Sequence, residues 1–335
     1  MVESIKYEII IDFRSDSLWP LRLIDITLMG KNIIEWQINF LKGYKIRRIL
    51  IVHNENIEVN VDWCDIKILH KMDDAFNESS EAIVLYPFVY SIPIALEKLI
   101  KKKANIVIDE KTGKIINITP AKRTQITPKK PLKFPWQVFN IMEFMLTRIR
   151  GTFIHEDAKV NSSAKIEGNV YIDKGAKISR DAKVVGPAYL GENVFVGDNA
   201  LIRGSIIERN TIIGCNMEVA RSLFCERVET HSGYVGDSIV SKGVHFGAGF
   251  ITGNVRLDRK TIKVFVPTLK RKIDTGRTKL GAIIGRNANF GIHTGTMPGV
   301  LIGENAVIGP GTLIFHNVPD NVRIYRYESP MFRIE

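Results

Sequence analysis

The chain has 335 residues, 45% of them hydrophobic and 25% charged, which excludes a disordered or fibrous protein and leaves room for two domains with cores of their own. The net charge of +11 is concentrated in two segments. Residues 256–280 hold nine Lys and Arg against Asp258 and Asp274, and Lys122, Arg123, Lys129, Lys130 and Lys133 form the second cluster, a pattern that favours a compact anion over a broad nucleic-acid face.

The start, MVESIKYEIIIDF, carries no basic region ahead of its apolar run and does not read as a secretory signal. Tyr7–Ile11 and 49–52 have the texture of buried strands, with helical spacing over 32–41 between them, so 1–150 reads as an α/β domain with a βαβ pattern. The apolar stretch 82–96 is too short to span a bilayer and is broken by Pro87 and Pro93, which makes it a strand, a turn and a helix start. Cys64, Cys215 and Cys225 are odd in number and lack C-x-x-C spacing, as expected of a reducing cytosol. A soluble cytoplasmic protein, with no membrane and no nucleic-acid partner, is the expectation.

A helix over 134–149 leads into a different texture. From 153 the chain runs in sixes: FIHEDA, KVNSSA, KISRDA, FVGDNA, IIERNT and, after an interruption, IIGRNA, NFGIHT, LIGENA, VIGPGT. Most units carry an aliphatic residue at the start, often with Gly or an acid close behind, and Gly, Asn and Asp take the tight corners. That period predicts a β-solenoid over 151–335. The basic insert at 256–280 alternates Ile262, Val264 and Val266 before Pro267 and is expected to project from the coils as a strand-bearing loop reaching a neighbouring subunit, while RIYRYESPMF (323–332) caps the last coil.

Further stretches, GKNIIEWQINFL (30–41), KFPWQVFNIMEFML (133–146), HSGYVGDSIVSKGVHFGAGFITGNVRLD (231–258) and TGRTKLGAIIG (275–285), are similar to those of sugar-1-phosphate nucleotidyltransferases with an attached hexapeptide acyltransferase domain. The resemblance is to the archaeal bifunctional N-acetylglucosamine-1-phosphate uridyltransferase/glucosamine-1-phosphate N-acetyltransferase type. It implies a Rossmann-like nucleotidyltransferase-type α/β domain followed by a left-handed parallel β-helix, acetyl-CoA as acyl donor, an amino-sugar 1-phosphate as acceptor, a place in nucleotide-sugar biosynthesis, and a homotrimer with sites between subunits. In the first half IDFRSDSLWP (11–20) stands where the family has a Gly-rich phosphate loop. No glycine remains, Ser17 replaces the family Arg, and Tyr86-Pro87 replaces the metal-binding Gly-Asp, so nucleotidyl transfer is expected to be lost.

In the second half the resemblance makes His231 the base that takes the amine proton and Asn254 the residue hydrogen-bonding substrate and acyl donor, where an amide both donates to an oxyanion and accepts from an amine. It places Tyr234, Arg203, Lys260 and Lys263 around the sugar phosphate. His245 and His293 stand where the family has Asn, and Ala220 where it has Lys, with Arg221 beside it, so the sugar pocket is expected to differ. His231, His245 and His293 lack the spacing of the three-histidine metal sites of hexapeptide carbonic anhydrases, and no metal is expected. The alternative to an enzyme is a non-catalytic subunit paired with an active nucleotidyltransferase paralogue in a hetero-oligomer, which the degenerate first domain favours and the retention of His231, Tyr234 and Asn254 opposes.

Overall fold

The computed structural model describes residues 7–12, 18–39, 42, 46–52, 59, 62, 64–71, 74, 82–85, 106–108, 115–117, 125–126 and 132–325. It divides into two compact units, one of Met1–Leu18 and Lys31–Phe134, the other of Trp19–Gly30 and Pro135–Glu335.

In the first unit β1 (Tyr7–Asp12), β2 (Ile46–Val52), β3 (Asp65–Leu69) and β4 (Ala82–Leu85) form a parallel sheet in the order β3-β2-β1-β4. The helix α1 (Ile33–Asn39) connects β1 to β2, and it buries Ile33, Ile34, Gln37 and Ile38 on one face. Its start is fixed by a reciprocal cap: the Asn32 side chain accepts from the Glu35 amide at 2.8 Å, and the Glu35 carboxylate accepts from the Asn32 amide at 3.0 Å. Three short antiparallel strands follow, Ile106–Ile108, Ile115–Asn117 and Gln125–Ile126. Residues 13–17 and 86–87, where the sequence departs from the nucleotidyltransferase pattern, lie outside the described residues, as do Lys122, Arg123, Lys129 and Lys130.

In the second unit the hexads become coils of three strands, stacked into three parallel sheets of eight, nine and eight strands. We call them faces A, B and C, in the order in which the chain visits them. Register follows the coil: on face B Lys159 pairs with Lys177, and Lys177 with Phe195, eighteen residues on each time. The coils turn mostly aliphatic residues inward, and these stack into a continuous core that includes Val184, Ile202, Val219 and Val235. Midway the filling is aromatic, with Phe246 packed against Phe224, Phe250 and Phe290. Corners fall on Asn residues that tolerate a left-handed backbone, among them Asn193, Asn210, Asn287, Asn305 and Asn321. Their amides bond from coil to coil, Asn193 to Asn210 at 3.3 Å and Asn305 to Asn321 at 3.0 Å. The last described strand, Arg323–Ile324, closes face B, and the rest of the expected cap lies outside the described residues.

The basic insert forms an antiparallel hairpin, Lys263–Val266 with Arg271–Asp274. It does not stand free, as expected of a projecting loop, because Ile262, Val264 and Val266 are buried. Gly299, at φ +77°, makes the seat: a Cβ there would lie 2.6 Å from Ile262 Cγ2 and 3.1 Å from Val264 Cγ2. Asn317 then donates to the Phe265 carbonyl at 2.8 Å, tying the hairpin to the final coil.

The helix α2 (Val138–Leu146), expected to close the first domain, groups with the solenoid, where Arg277 pairs with Glu143 and lies 4.7 Å over the Phe139 ring. So does the strap Trp19–Gly30. Ile26 and Leu28 of the strap are buried, Trp19 donates to Asp320 at 2.9 Å, and Arg22 meets Glu304 at 3.0 Å. The fully buried Glu208 carboxylate accepts from the Gly30 amide at 3.1 Å. Among the described residues no helix is long and apolar enough to cross a membrane.

Candidate active site

Face C carries the outward residues that the motif analysis singled out. Tyr234 lies in the strand Gly233–Gly236, between Glu218 on the coil below and Ile251 on the coil above. Its ring runs along the strand over Gly236, where a Cβ would collide with the hydroxyl, so glycine is needed for the ring to lie down. The hydroxyl accepts from Asn254 Nδ2 at 3.0 Å.

Arg221, Asp237 and Asn254 stack at the corner between faces C and A. The Arg221 guanidinium makes two hydrogen bonds of 2.7 Å to the two Asp237 oxygens. These bonds hold its pKa above even its ordinary high range. Asp237 Oδ2 also accepts from Asn254 Nδ2 at 2.6 Å, and its side chain is only 6% exposed. The carboxylate can only accept, so the amide atom facing it is the nitrogen. Both Asn254 N–H groups are then used, one on Asp237 and one on Tyr234, and the carbonyl Oδ1 is the function left to a ligand. Asn254 is therefore arranged to accept from an N–H or O–H. The oxyanion-donor half of the sequence expectation does not fit this arrangement.

His231 lies at the other end of face C, at the corner with face B. It is exposed, and its ring meets that of His245 edge-on at 5.9 Å between centroids. It lies six positions before Asp237, with the four-residue strand Gly233–Gly236 between them. Within one protomer the structure thus gathers Tyr234 and Asn254 with Arg221 and Asp237, and gathers His231 with His245, but keeps the two groups apart.

Arg203 stands on face C next to Glu218, with Nε at 3.0 Å from its Oε1, so this cation already has a carboxylate. Lys260 is exposed just after the Arg256–Asp258 ion pair, and Lys263, on the hairpin, lines a cleft that Arg256 also lines. Ala220 is fully buried. Arg221, beside it, turns to Asp237 and does not offer a free charge in place of the family Lys. His293 packs against Gly249, and among the described residues no group of three or more His, Cys, Asp or Glu is placed to hold a metal ion. The three cysteines are free. Burial pushes the Cys225 thiol up to about 12, which makes it inert at neutral pH.

Sequence reasoning missed Asp237 and the role of Arg221. The signal was present in the spacing: Arg221, Asp237 and Asn254 follow one another at 16 and 17 residues, one coil each, and so must share a corner.

Residues 149–267 match the family model described as the GMPPB C-terminal domain, and 281–315 the hexapeptide repeat of succinyl-transferase. The two matches omit 268–280, the second half of the hairpin. The bifunctional sugar-1-phosphate nucleotidylyltransferase/acetyltransferase of Sulfurisphaera tokodaii is 42% identical over 107 residues, 32% of this chain and 26% of that protein. Bifunctional protein GlmU of Methanocaldococcus jannaschii is 36% identical over 122 residues, 36% of this chain and 29% of that protein. The alignments thus span under a third of these relatives. Among solved structures, the UDP-N-acetylglucosamine acyltransferase of Francisella novicida covers 51% of this chain and 66% of its own at 17% identity, with a TM-score of 0.26. The resemblance read from the motifs therefore stands and is carried by the C-terminal part, a hexapeptide-repeat solenoid of the left-handed parallel β-helix class.

Proposed function

We propose that the chain is an acetyl-CoA-dependent N-acetyltransferase acting on an amino-sugar 1-phosphate, glucosamine 1-phosphate being the first candidate, within nucleotide-sugar biosynthesis. The observation that carries this reading is the accounting at Asn254. With both its N–H groups used, its free carbonyl suits an amine donor, and a relative's name includes an acetyltransferase acting beside a sugar-1-phosphate nucleotidylyltransferase. His231 takes a proton from that amine as its nitrogen bonds to the thioester carbonyl carbon. The C–S bond breaks, the protonated His231 returns that proton to the leaving sulfur, and coenzyme A leaves as the thiol. Neutral imidazole suits this step near pH 7. Lys260 and Arg203 are the cations for the sugar phosphate, Arg203 exchanging its contact with Glu218 for the ligand, and Tyr234 contacts the sugar. His245, in ring contact with His231, shapes the sugar end of the site, where the family resemblance implies Asn.

Because His231 and Asn254 lie at opposite ends of face C, one site combines the His231 corner of one protomer with the Asn254 corner of another. A homotrimer satisfies this requirement three times by symmetry. Nucleotidyl transfer is lost in this reading, since IDFRSDSLWP lacks the glycines that let a backbone approach phosphate. The locked Arg221 favours the second reading, a non-catalytic subunit beside an active nucleotidyltransferase paralogue. Thiol release from acetyl-CoA in the presence of glucosamine 1-phosphate decides between them. The enzyme reading expects turnover that His231→Ala abolishes. Release no faster than the His231→Ala background, with the wild-type chain recovered only with a paralogue, refutes it.

A further inference from the structure

The coils after the insert carry a cleft of about 930 Å³ that acetyl transfer at His231 and Asn254 does not explain. One wall is the hairpin. In its register Lys263 pairs with Asp274 and Phe265 with Lys272. Alternate residues share a side of a strand, so Lys263, Phe265 and Lys272 stand on one face while Val264 and Val266 turn under it. The two lysines are diagonal neighbours, close enough for both ammonium groups to reach one phosphate. Neither makes an ion pair within 4 Å among the described residues, although Asp274, the register partner of Lys263, stands on the same face as both. Arg256, which also lines the cleft, is committed to Asp258.

Phe315 and His316 of the final coil and Trp19 of the strap also line the cleft. Phe265 and Phe315 are 42% and 59% exposed, whereas Phe224, Phe246, Phe250 and Phe290 fill the core. The width of the cleft is fixed: Asn317 bonds the Phe265 carbonyl across it, and the Trp19 indole is held by Asp320, whose Oδ1 also accepts from the Glu304 amide. Aromatic faces take a planar ring by stacking, and paired ammonium groups take a phosphate. An apolar ligand would leave the lysines unsatisfied. Inorganic phosphate would leave the rings exposed.

We propose that this cleft binds a nucleotide, its base stacked on Phe315 and Phe265 and a phosphate held between Lys263 and Lys272. With a free nucleotide as ligand this site is independent of the acetyl-transfer reading, and with coenzyme A it rests on that reading. Two ligands share the chemistry, a free nucleoside diphosphate and the phosphorylated adenosine end of coenzyme A.

Calorimetric titration of the full chain with ADP, UDP and coenzyme A tests the assignment. One saturable site per chain is expected for at least one of the three, and Lys272→Ala and Phe315→Leu each weaken it about tenfold, while His231→Ala leaves it unchanged. The circular dichroism of both variants, compared with wild type, checks that the coils are intact. Equal affinity for ADP and coenzyme A identifies a free nucleotide as sufficient, and much tighter coenzyme A binding identifies the acyl carrier. A chain that binds ADP but releases no thiol keeps this site and loses the acetyltransferase. No saturable binding of any of the three, as when a second copy covers the cleft, overturns the proposal, and so does binding undiminished in both variants.

Discussion

Glu208 allows a quantitative test of how the strap is held. Burial is the main cause that moves its carboxyl from 4.5 up to about 8, against the backbone amides of Gly30 and Met29, which favour the charged form. The sign follows from the proton count. Between these two values the folded chain keeps a proton that the unfolded chain has lost, so stability falls as pH rises from about 4.5 to about 8 and is flat on either side. The displacement corresponds to about 5 kcal/mol over the whole window. Glu208→Gln keeps the shape and an acceptor for Gly30 but removes the titration. Urea unfolding at pH 5 and at pH 8.5, followed by circular dichroism, should show the variant gaining about 3–5 kcal/mol on wild type between the two conditions. Asp25, also raised by burial, acts in the same direction in both proteins and cancels in the comparison. A difference between variant and wild type that stays within about 1 kcal/mol across that range refutes a protonated Glu208 in the fold.

Two further perturbations act on the second unit. Asp237→Ala strands a partly buried guanidinium and frees the Asn254 amide to rotate, so we expect a loss of about 2–4 kcal/mol in denaturant unfolding together with a higher KM for the amine. Asp237→Asn, which keeps the shape, should lose less stability while still raising KM. Gly299→Ala forces a methyl into Ile262 and Val264 at a positive φ, which should loosen the hairpin without melting the coils. Trypsin, offered nine Lys and Arg in 256–280, should then cut there well before it cuts the solenoid; equal cutting in wild type counts against the seat.

The solenoid was legible because its rule is local and repeated. One hexad such as VIGPGT says little, but the same inward aliphatic and corner residue recurring coil after coil leaves few folds available. The α1 helix was readable for a similar reason, with its cap in Asn32 and Glu35. The strap was hidden. Nothing in IIERNT marks Glu208 as buried, since its partner Gly30 is 178 residues away and the same letters at another corner face water. The orientation of Asn254 was hidden too, because residue type permits an amide to donate or accept, and only the neighbouring Asp237 and Tyr234 decide which.

The strap also limits how this protein can be divided. A polypeptide beginning at Pro135 would contain every coil yet lack Trp19–Gly30 and, with it, the cover over Glu208 and the apolar surface that receives Ile26 and Leu28. Such a fragment should be less soluble than its regular repeat suggests, and its Glu208 should titrate like an ordinary surface acid. Recombination that exchanges whole solenoids at a single junction near residue 135 would meet the same obstacle, so the front segment and the coils are expected to be inherited as a pair.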